Sequence, residues 1–311
     1  MNSPLFSVVI PAYNRAKVIP RAVDSVLAQT FADFEIVVID DGSTDNLREA
    51  CEKYGSPQIH YYHQPNAGSN PARNMGVKMA RGYYLSFLDS DDTWEPQYLH
   101  EVLQKFESDS EIGFVWVKRI KKHLPGGRTE AKEFRKLEGF VYKEVLQQGF
   151  LINSSCVTAK RSLVEAVGAW DNNLQACQDD DLCFRLTKAT KVGYVNKALS
   201  IFYIDSSIER ISSSGTRRAW NSLFLWRKFA KDVISHCGKR ELEKKIAGVY
   251  LRFMWLKDKE GLVSCEKTLI ELLDFTNTQL RIFRLRLICA KFMTRLKNAM
   301  KSRLGRLFGD C

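Results

Sequence analysis

Phe34-Glu35-Ile36-Val37-Val38-Ile39-Asp40-Asp41-Gly42-Ser43 reads as an apolar strand that ends in two carboxylates and a turn. The same grammar precedes and follows it. Phe6-Ser7-Val8-Val9-Ile10 is a strand stopped by Pro11, and Pro11-Ala12-Tyr13-Asn14 follows it. Ile59 to Tyr62 is a short strand. Tyr83 to Leu88 is a fourth strand, closing on Asp89-Ser90-Asp91-Asp92. Helical stretches fall between these strands. One has Pro20 near its first turn and Ala22, Val23, Val26 and Leu27 on one face. A second carries Leu47, Ala50 and Cys51, and a third runs from Ala72 to Ala80. Strands separated by helices imply a mostly parallel α/β sheet with right-handed crossovers, Rossmann-like in plan. In such sheets a ligand crevice lies beyond the carboxyl ends of the strands. Three polar strand ends are therefore expected at one crevice.

The chain has 311 residues and a net charge of +11. No apolar run approaches the roughly 18 residues of a membrane span. Met1-Asn2-Ser3-Pro4 has neither the basic region nor the apolar core of a secretory signal. A cytoplasmic protein is expected. The eight cysteines include no C-x-x-C pair, and the five histidines no H-E-x-x-H, so neither a disulfide framework nor a thiolate zinc site is indicated. Charge is uneven: residues 1–216 carry a net −2 and residues 217–311 a net +13. This suggests a catalytic domain over 1–216 and a helical region over 217–311, with helices around 219–231, 241–257 and 265–275. Phe114–Ile120, Val157–Ala159 and Val192–Val195 look like strands. Residues 124–138 look like a loop.

Phe6–Arg15, Ile39-Asp40-Asp41-Gly42-Ser43-Thr44-Asp45 and Phe87-Leu88-Asp89-Ser90-Asp91-Asp92, in this order, resemble the family 2 glycosyltransferases of GT-A fold. Ala72-Arg73-Asn74-Met75-Gly76 and Gln178-Asp179-Asp180-Asp181-Leu182-Cys183-Phe184-Arg185 fit the same pattern. The resemblance covers residues 5 to 210. It implies an inverting hexosyl transfer from a nucleotide-sugar, with a UDP-sugar the favoured donor, to a glycan or lipid-linked glycan acceptor. It also implies a divalent metal, Mn2+ or Mg2+, held by Asp91, because a departing diphosphate needs its charge neutralised and a hard cation takes oxygen ligands. Asp89 would reach the ribose, beside Ser90. Asp40 or Asp41 would meet the base, Tyr13 would stack on it, and Pro11 and Ala12 would line its pocket. Arg73 matches the arginine of the nucleotide site. Asp179 is the expected general base, with Asp180 the alternative. Asp45 suits a structural role. Trp94, Asn153 and Trp170 fall near acceptor-side positions.

Two departures stand out. The family usually reads Glu-Asp where this chain has Gln178-Asp179. After Tyr203 a basic residue and a histidine are common, but here Ile204-Asp205-Ser206 follows. Arg210, Arg217 and Arg218 are the nearby substitutes in sequence. From Leu280 to Phe308 nine basic residues accompany apolar ones at helical spacing, which suits an anionic membrane surface at the inner face of a membrane. Asn153-Ser154-Ser155 matches an N-glycosylation sequon to which no role is given. Two rivals remain. A sugar nucleotidyltransferase would want a Gly-rich phosphate loop after the first strand, and Pro11–Arg15 is not one. A non-enzymatic binder of anionic polymers is suggested by the basic tail, but no nucleic-acid module appears and no nucleic acid is expected.

Overall fold

The computed structural model describes residues 3–131, 136–149, 153–205 and 215–289. Two compact units divide after Ser213. Among its described residues the first contains nine strands: β1 (Phe6–Ala12), β2 (Phe34–Asp40), β3 (Ile59–His63), β4 (Tyr84–Phe87), β5 (Thr93–Trp94), β6 (Ile112–Leu124), β7 (Thr129–Ala131), β8 (Val157–Lys160) and β9 (Lys191–Asp205). Between them run α1 (Ile19–Leu27), α2 (Leu47–Glu52), α3 (Ser69–Met79), α4 (Tyr98–Glu107), α5 (Tyr142–Gln148), α6 (Arg161–Ala166) and α7 (Gln178–Ala189).

The strands form one sheet in the order β3-β2-β1-β4-β8-β6-β9-β5, with β7 added on β6. β1 pairs in parallel with both β2 and β4, and β2 with β3. Every residue of β2 is buried, as a parallel strand covered on both faces requires. Ala12 lies opposite Asp40, and Val9 opposite Phe87. This register brings the three polar strand ends to one edge. The sheet is mixed. β8 runs antiparallel to both β4 and β6.

β6 and β9 extend well beyond the segments expected from their apolar cores. Residues 112–117 of β6 are buried, whereas 118–124 are only half-buried and rich in Lys and Arg. The polar extension carries no apolar alternation, so its pairing with β9 as far as Asp205 had no sequence signal. Part of the stretch expected as a loop is a hairpin, with β7 against Ile120–Lys122.

α3 lies hard against β1. A Cβ on Gly76 would fall 2.2 Å from Val9 Cγ1. Glycine here sets the depth at which the helix, and the side chains on it, meet the strand ends.

The second unit contains α8 (Gly215–Lys228), α9 (Ala230–Cys237), α10 (Lys239–Leu256), α11 (Lys259–Leu273) and a helix over 277–289. Leu242, Ile246, Val249, Phe253, Cys265, Leu269, Leu280 and Phe283 are buried. Asp258 caps α11 by accepting from Gly261 N at 2.9 Å, and it also accepts from Trp220 Nε1 at 3.0 Å. Arg210 and residues 290–308 of the basic tail lie outside the described residues.

Gly76→Val is expected to lower stability by about 1–3 kcal/mol through overpacking. The loss should shrink in a Val9→Ala background. Denaturant titration of the four variants of that cycle measures both effects.

Candidate active site

The strand-end loops are laced together by short polar contacts. Asn14, at φ 53°, donates its backbone N–H to Ser43 Oγ at 2.9 Å, and its Oδ1 accepts from Thr44 N at 2.8 Å. Asp45 accepts from Ala16 N at 2.9 Å, the structural role its position suggested. Asp40 is buried. It accepts from Ser43 N at 2.8 Å and from the Tyr61 hydroxyl. Asp41 is also buried. It accepts from Gln64 Nε2 (2.7 Å), Ala67 N (2.9 Å) and Gly68 N (2.8 Å). It thereby places a carboxylate at the amino end of α3, where the helix dipole favours it. Gly42, at φ 80°, has no room for a side chain, because a Cβ would lie 2.6 Å from Asn66 N. Tyr13, by contrast, is 47% exposed, whereas Pro11 is half-buried and Ala12 buried.

α3 collects the remaining pieces. Asn70 Nδ2 donates to the carbonyls of Asp171 (2.8 Å) and Leu174 (2.6 Å). Asn74 exchanges hydrogen bonds with the Trp170 backbone, both at 2.8 Å. Gln178 Nε2 donates to Ser69 Oγ at 3.5 Å, docking the first turn of α7. Between these ties lies Arg73, which is buried. Its Nη2 donates to Asp89 Oδ1 at 2.7 Å, and its guanidinium sits 4.6 Å from the centroid of the Trp170 ring. Arg73 Nε and Nη1 are buried without an acceptor.

The turn after β4 is braced from below. Ser154 Oγ donates to Asp89 Oδ1 at 2.9 Å. Ser155 Oγ (2.6 Å) and Asn153 Nδ2 (2.9 Å) both donate to Asp92 Oδ2. Asp92 is fully buried and Ser90 nearly so, while Asp89 and Asp91 are less covered. The sequon-like triplet Asn153-Ser154-Ser155 thus supports the acidic turn. Sequence reading missed this, because a serine's partner more than sixty positions away leaves no local mark.

The three acids of α7 separate by the 100° that each helical residue turns. Asp181 points inward. It is fully buried and pairs with Arg185, whose Nη1 donates to Val167 O at 2.6 Å. Asp179 is half-buried, and its Oδ1 is sealed from solvent with no hydrogen-bond partner. Burial pushes the Asp179 carboxyl up to about 7. Arg73 and Arg119 pull it down, whereas Asp89 and Asp180 add repulsion. Asp41, at the amino end of α3, and Arg73, Asp89 and Asp179, which interact with one another, are thus linked through α3. Buried polar atoms in native proteins are normally paired. Unpaired ones gather here, on Arg73, Gln178 and Asp179.

The three residues expected near the acceptor side are held by packing and hydrogen bonds. Trp94 is buried, stacked 3.9 Å from Tyr98, and donates from Nε1 to Ser155 O at 2.7 Å. Trp170 is buried between Phe87 and Arg73. Packing claims both, the commoner fate of tryptophan. Asn153 is spent on Asp92. Arg217 and Arg218 are exposed on α8 in the second unit.

Residues 7–168 match the family described as Glycosyl transferase family 2. The chain belongs to that family. It is 33% identical to an uncharacterized glycosyltransferase of Rickettsia conorii over 208 residues, 64% of this chain and 33% of that protein. It is 32% identical to chondroitin synthase of Pasteurella multocida over 202 residues, 62% of this chain and 20% of the synthase. The chain thus spans a third or less of these two relatives. Among solved structures it resembles Staphylococcus aureus TarS 1–349 in complex with UDP-GlcNAc. The TM-score is 0.66 and the identity 19%, covering 84% of this chain and 79% of that one. This likeness shows the GT-A fold.

A carboxyl whose pKa is raised on folding costs stability once pH exceeds the unfolded value, because the folded state must then ionise it in an unfavourable site or hold a proton that the unfolded chain releases. Asp179→Asn removes that cost. Its gain in thermal midpoint should be small near pH 4, grow up to about pH 7, and stay level above it. Melting curves across pH in the absence of nucleotide test this. A gain independent of pH would contradict it.

Proposed function

We propose that this glycosyltransferase inverts the anomeric centre of a nucleotide-diphosphate sugar, a UDP-sugar in the first instance, as it passes the sugar to a glycan or lipid-linked glycan. The observation that carries the reading is the cluster of unpaired buried polar atoms on Arg73 and Asp179 beside the acidic turn. Such a cluster suits a ligand with both oxyanion and hydroxyl groups. The UDP-GlcNAc bound by the TarS neighbour makes UDP the first nucleotide to try.

In this reading the exposed ring of Tyr13 stacks on the base, with Pro11 and Ala12 lining the pocket. Asp40 and Asp41 remain alternatives for the base contact, since each carboxylate retains acceptor lone pairs. Asp89, whose Oδ1 is fixed by Arg73, presents its other oxygen to the ribose. Asp179 accepts the proton of the attacking acceptor hydroxyl, with Asp180 the neighbouring alternative. A pKa near 7 suits a general base at neutral pH.

Among the described residues no group of three His, Cys, Asp or Glu side chains gathers to hold a cation. Asp91 with Asp89 nonetheless fits Mn2+ or Mg2+, which can be held by one or two carboxylates and substrate phosphates. When bound, the ion supplies charge neutralisation to the leaving diphosphate.

The same proposal sets the acceptor at an anionic membrane surface. The helix over 277–289 buries Leu280 and Phe283 but exposes Ile282, Leu285 and Ile288, alongside Arg281 and Arg286. Such a face can lie on a membrane without crossing it. No helix among the described residues is long and apolar enough to cross one. Leu285→Glu with Ile288→Glu should reduce sedimentation with phosphatidylserine vesicles. Unchanged sedimentation would discard this part of the proposal.

Donor hydrolysis and transfer should be screened with UDP-, GDP- and dTDP-sugars plus Mn2+ or Mg2+. With the accepted donor, kcat/KM should fall about tenfold per pH unit below about 7, as the base becomes protonated. Asp179→Asn should keep donor binding and lose transfer. Asp91→Asn, or a chelator, should remove the metal-dependent rate. Turnover by Asp179→Asn at the wild-type rate would refute the assignment of the base.

A further inference from the structure

Arg21 belongs to none of the strand-end motifs. It stands in the first turn of α1, two residues after Ile19. Its guanidinium lies over the Tyr203 ring, with Cζ 3.7 Å from the centroid. Its Nη2 donates to the main-chain oxygen of Asp91 at 2.7 Å. Its Nε is buried with no acceptor. On β6, Lys122 faces Tyr203 across the ladder, and its Nζ lies 5.8 Å from the same ring.

These contacts define a prepared cation. The aromatic face fixes the plane of the guanidinium, and stacking on an aromatic ring suits Arg better than Lys. One N–H is used on the acidic turn. The Nε–H is kept out of water and given nothing to bond, a costly arrangement for a donor on a permanently charged group. It becomes favourable once an oxyanion arrives. The planar fork matches phosphate oxygens, and charge-assisted bonds of this kind are the strong ones. The diphosphate is the anionic group common to all nucleoside-diphosphate sugars, and Arg21 stands at the turn bearing Asp91, the residue proposed to meet that diphosphate through a cation.

We propose that Arg21 binds the diphosphate of the donor and receives the charge that develops on it, the task left open by the absence of a basic side chain at positions 204 and 205. The inference rests on the nucleotide-sugar reading above. In the step, the bond from the anomeric carbon to the β-phosphate oxygen breaks and its electron pair stays on that oxygen. The acceptor oxygen bonds to the anomeric carbon, and its proton goes to Asp179. Arg21 holds the departing phosphate oxygens by hydrogen bonds, and no electrons pass to or from the protein.

The test is calorimetric titration of the full chain with UDP and UMP, or with the corresponding pair for whichever of UDP, GDP and dTDP binds best. It is run with Mn2+ and again in chelator. Arg21→Gln should weaken the diphosphate by about tenfold or more and the monophosphate by less than about twofold, the size of one lost charge-assisted contact. Arg21→Lys should recover part of the loss. The difference should persist in chelator. Retained monophosphate binding shows that the variant is folded. Equal losses for both nucleotides, unchanged diphosphate binding, or a loss that vanishes in chelator would overturn the inference, the last because Arg21 would then only position the Asp91 turn. Failure of the wild type to bind any nucleoside diphosphate would refute the nucleotide-sugar reading itself and take this inference with it.

Discussion

The first unit is organised around one buried guanidinium. Arg73 leaves α3 with its positive charge almost wholly out of water, held against Asp89 at 2.7 Å and laid over Trp170. A buried charge is tolerable only when paired, so the turn after β4 cannot move independently of α3. The depth of α3 is in turn set by Gly76 on Val9, and its amino end by Asp41. Strand ends that are distant in sequence are thus tied to one helix. Removing Arg73 would break the direct tie between α3 and Asp89.

That constraint also explains the electrostatics of Asp179. The Arg73 guanidinium that attracts this carboxyl is already committed to Asp89, so its attraction is shared. Burial outweighs it, and the proton is held to about pH 7. Asp181, two positions on, has a partner of its own in Arg185 and serves the fold. Asp179 and Asp181 thus differ by the neighbours each one meets, and composition alone cannot show that difference.

Much of this was legible in the sequence. The strands β1, β2 and β4 announce themselves as apolar runs ending in polar clusters, and parallel pairing puts those ends on one edge. The order of the motifs pointed to the family. What escaped notice has a common cause. Ser154, Ser155, Asn70 and Asn74 act through hydrogen bonds spanning sixty to a hundred residues. The outer half of β6 is polar on both faces and so has no period to read. The burial of Trp94 and Trp170 depends on packing that only the folded chain reveals. Arg21 sits on a helix whose sequence pattern advertises only its apolar face.

The central claim is that burial keeps the Asp179 carboxyl protonated near neutrality against the pull of Arg73. Carbon-13 NMR of selectively labelled aspartate, titrated on the full chain without nucleotide, reads the Asp179 carboxyl directly. A midpoint near 7 is predicted, rising further when Arg73 is replaced by Met, because the cation opposes the shift. A midpoint near the ordinary 3.8, or one that does not respond to Arg73, would contradict the account.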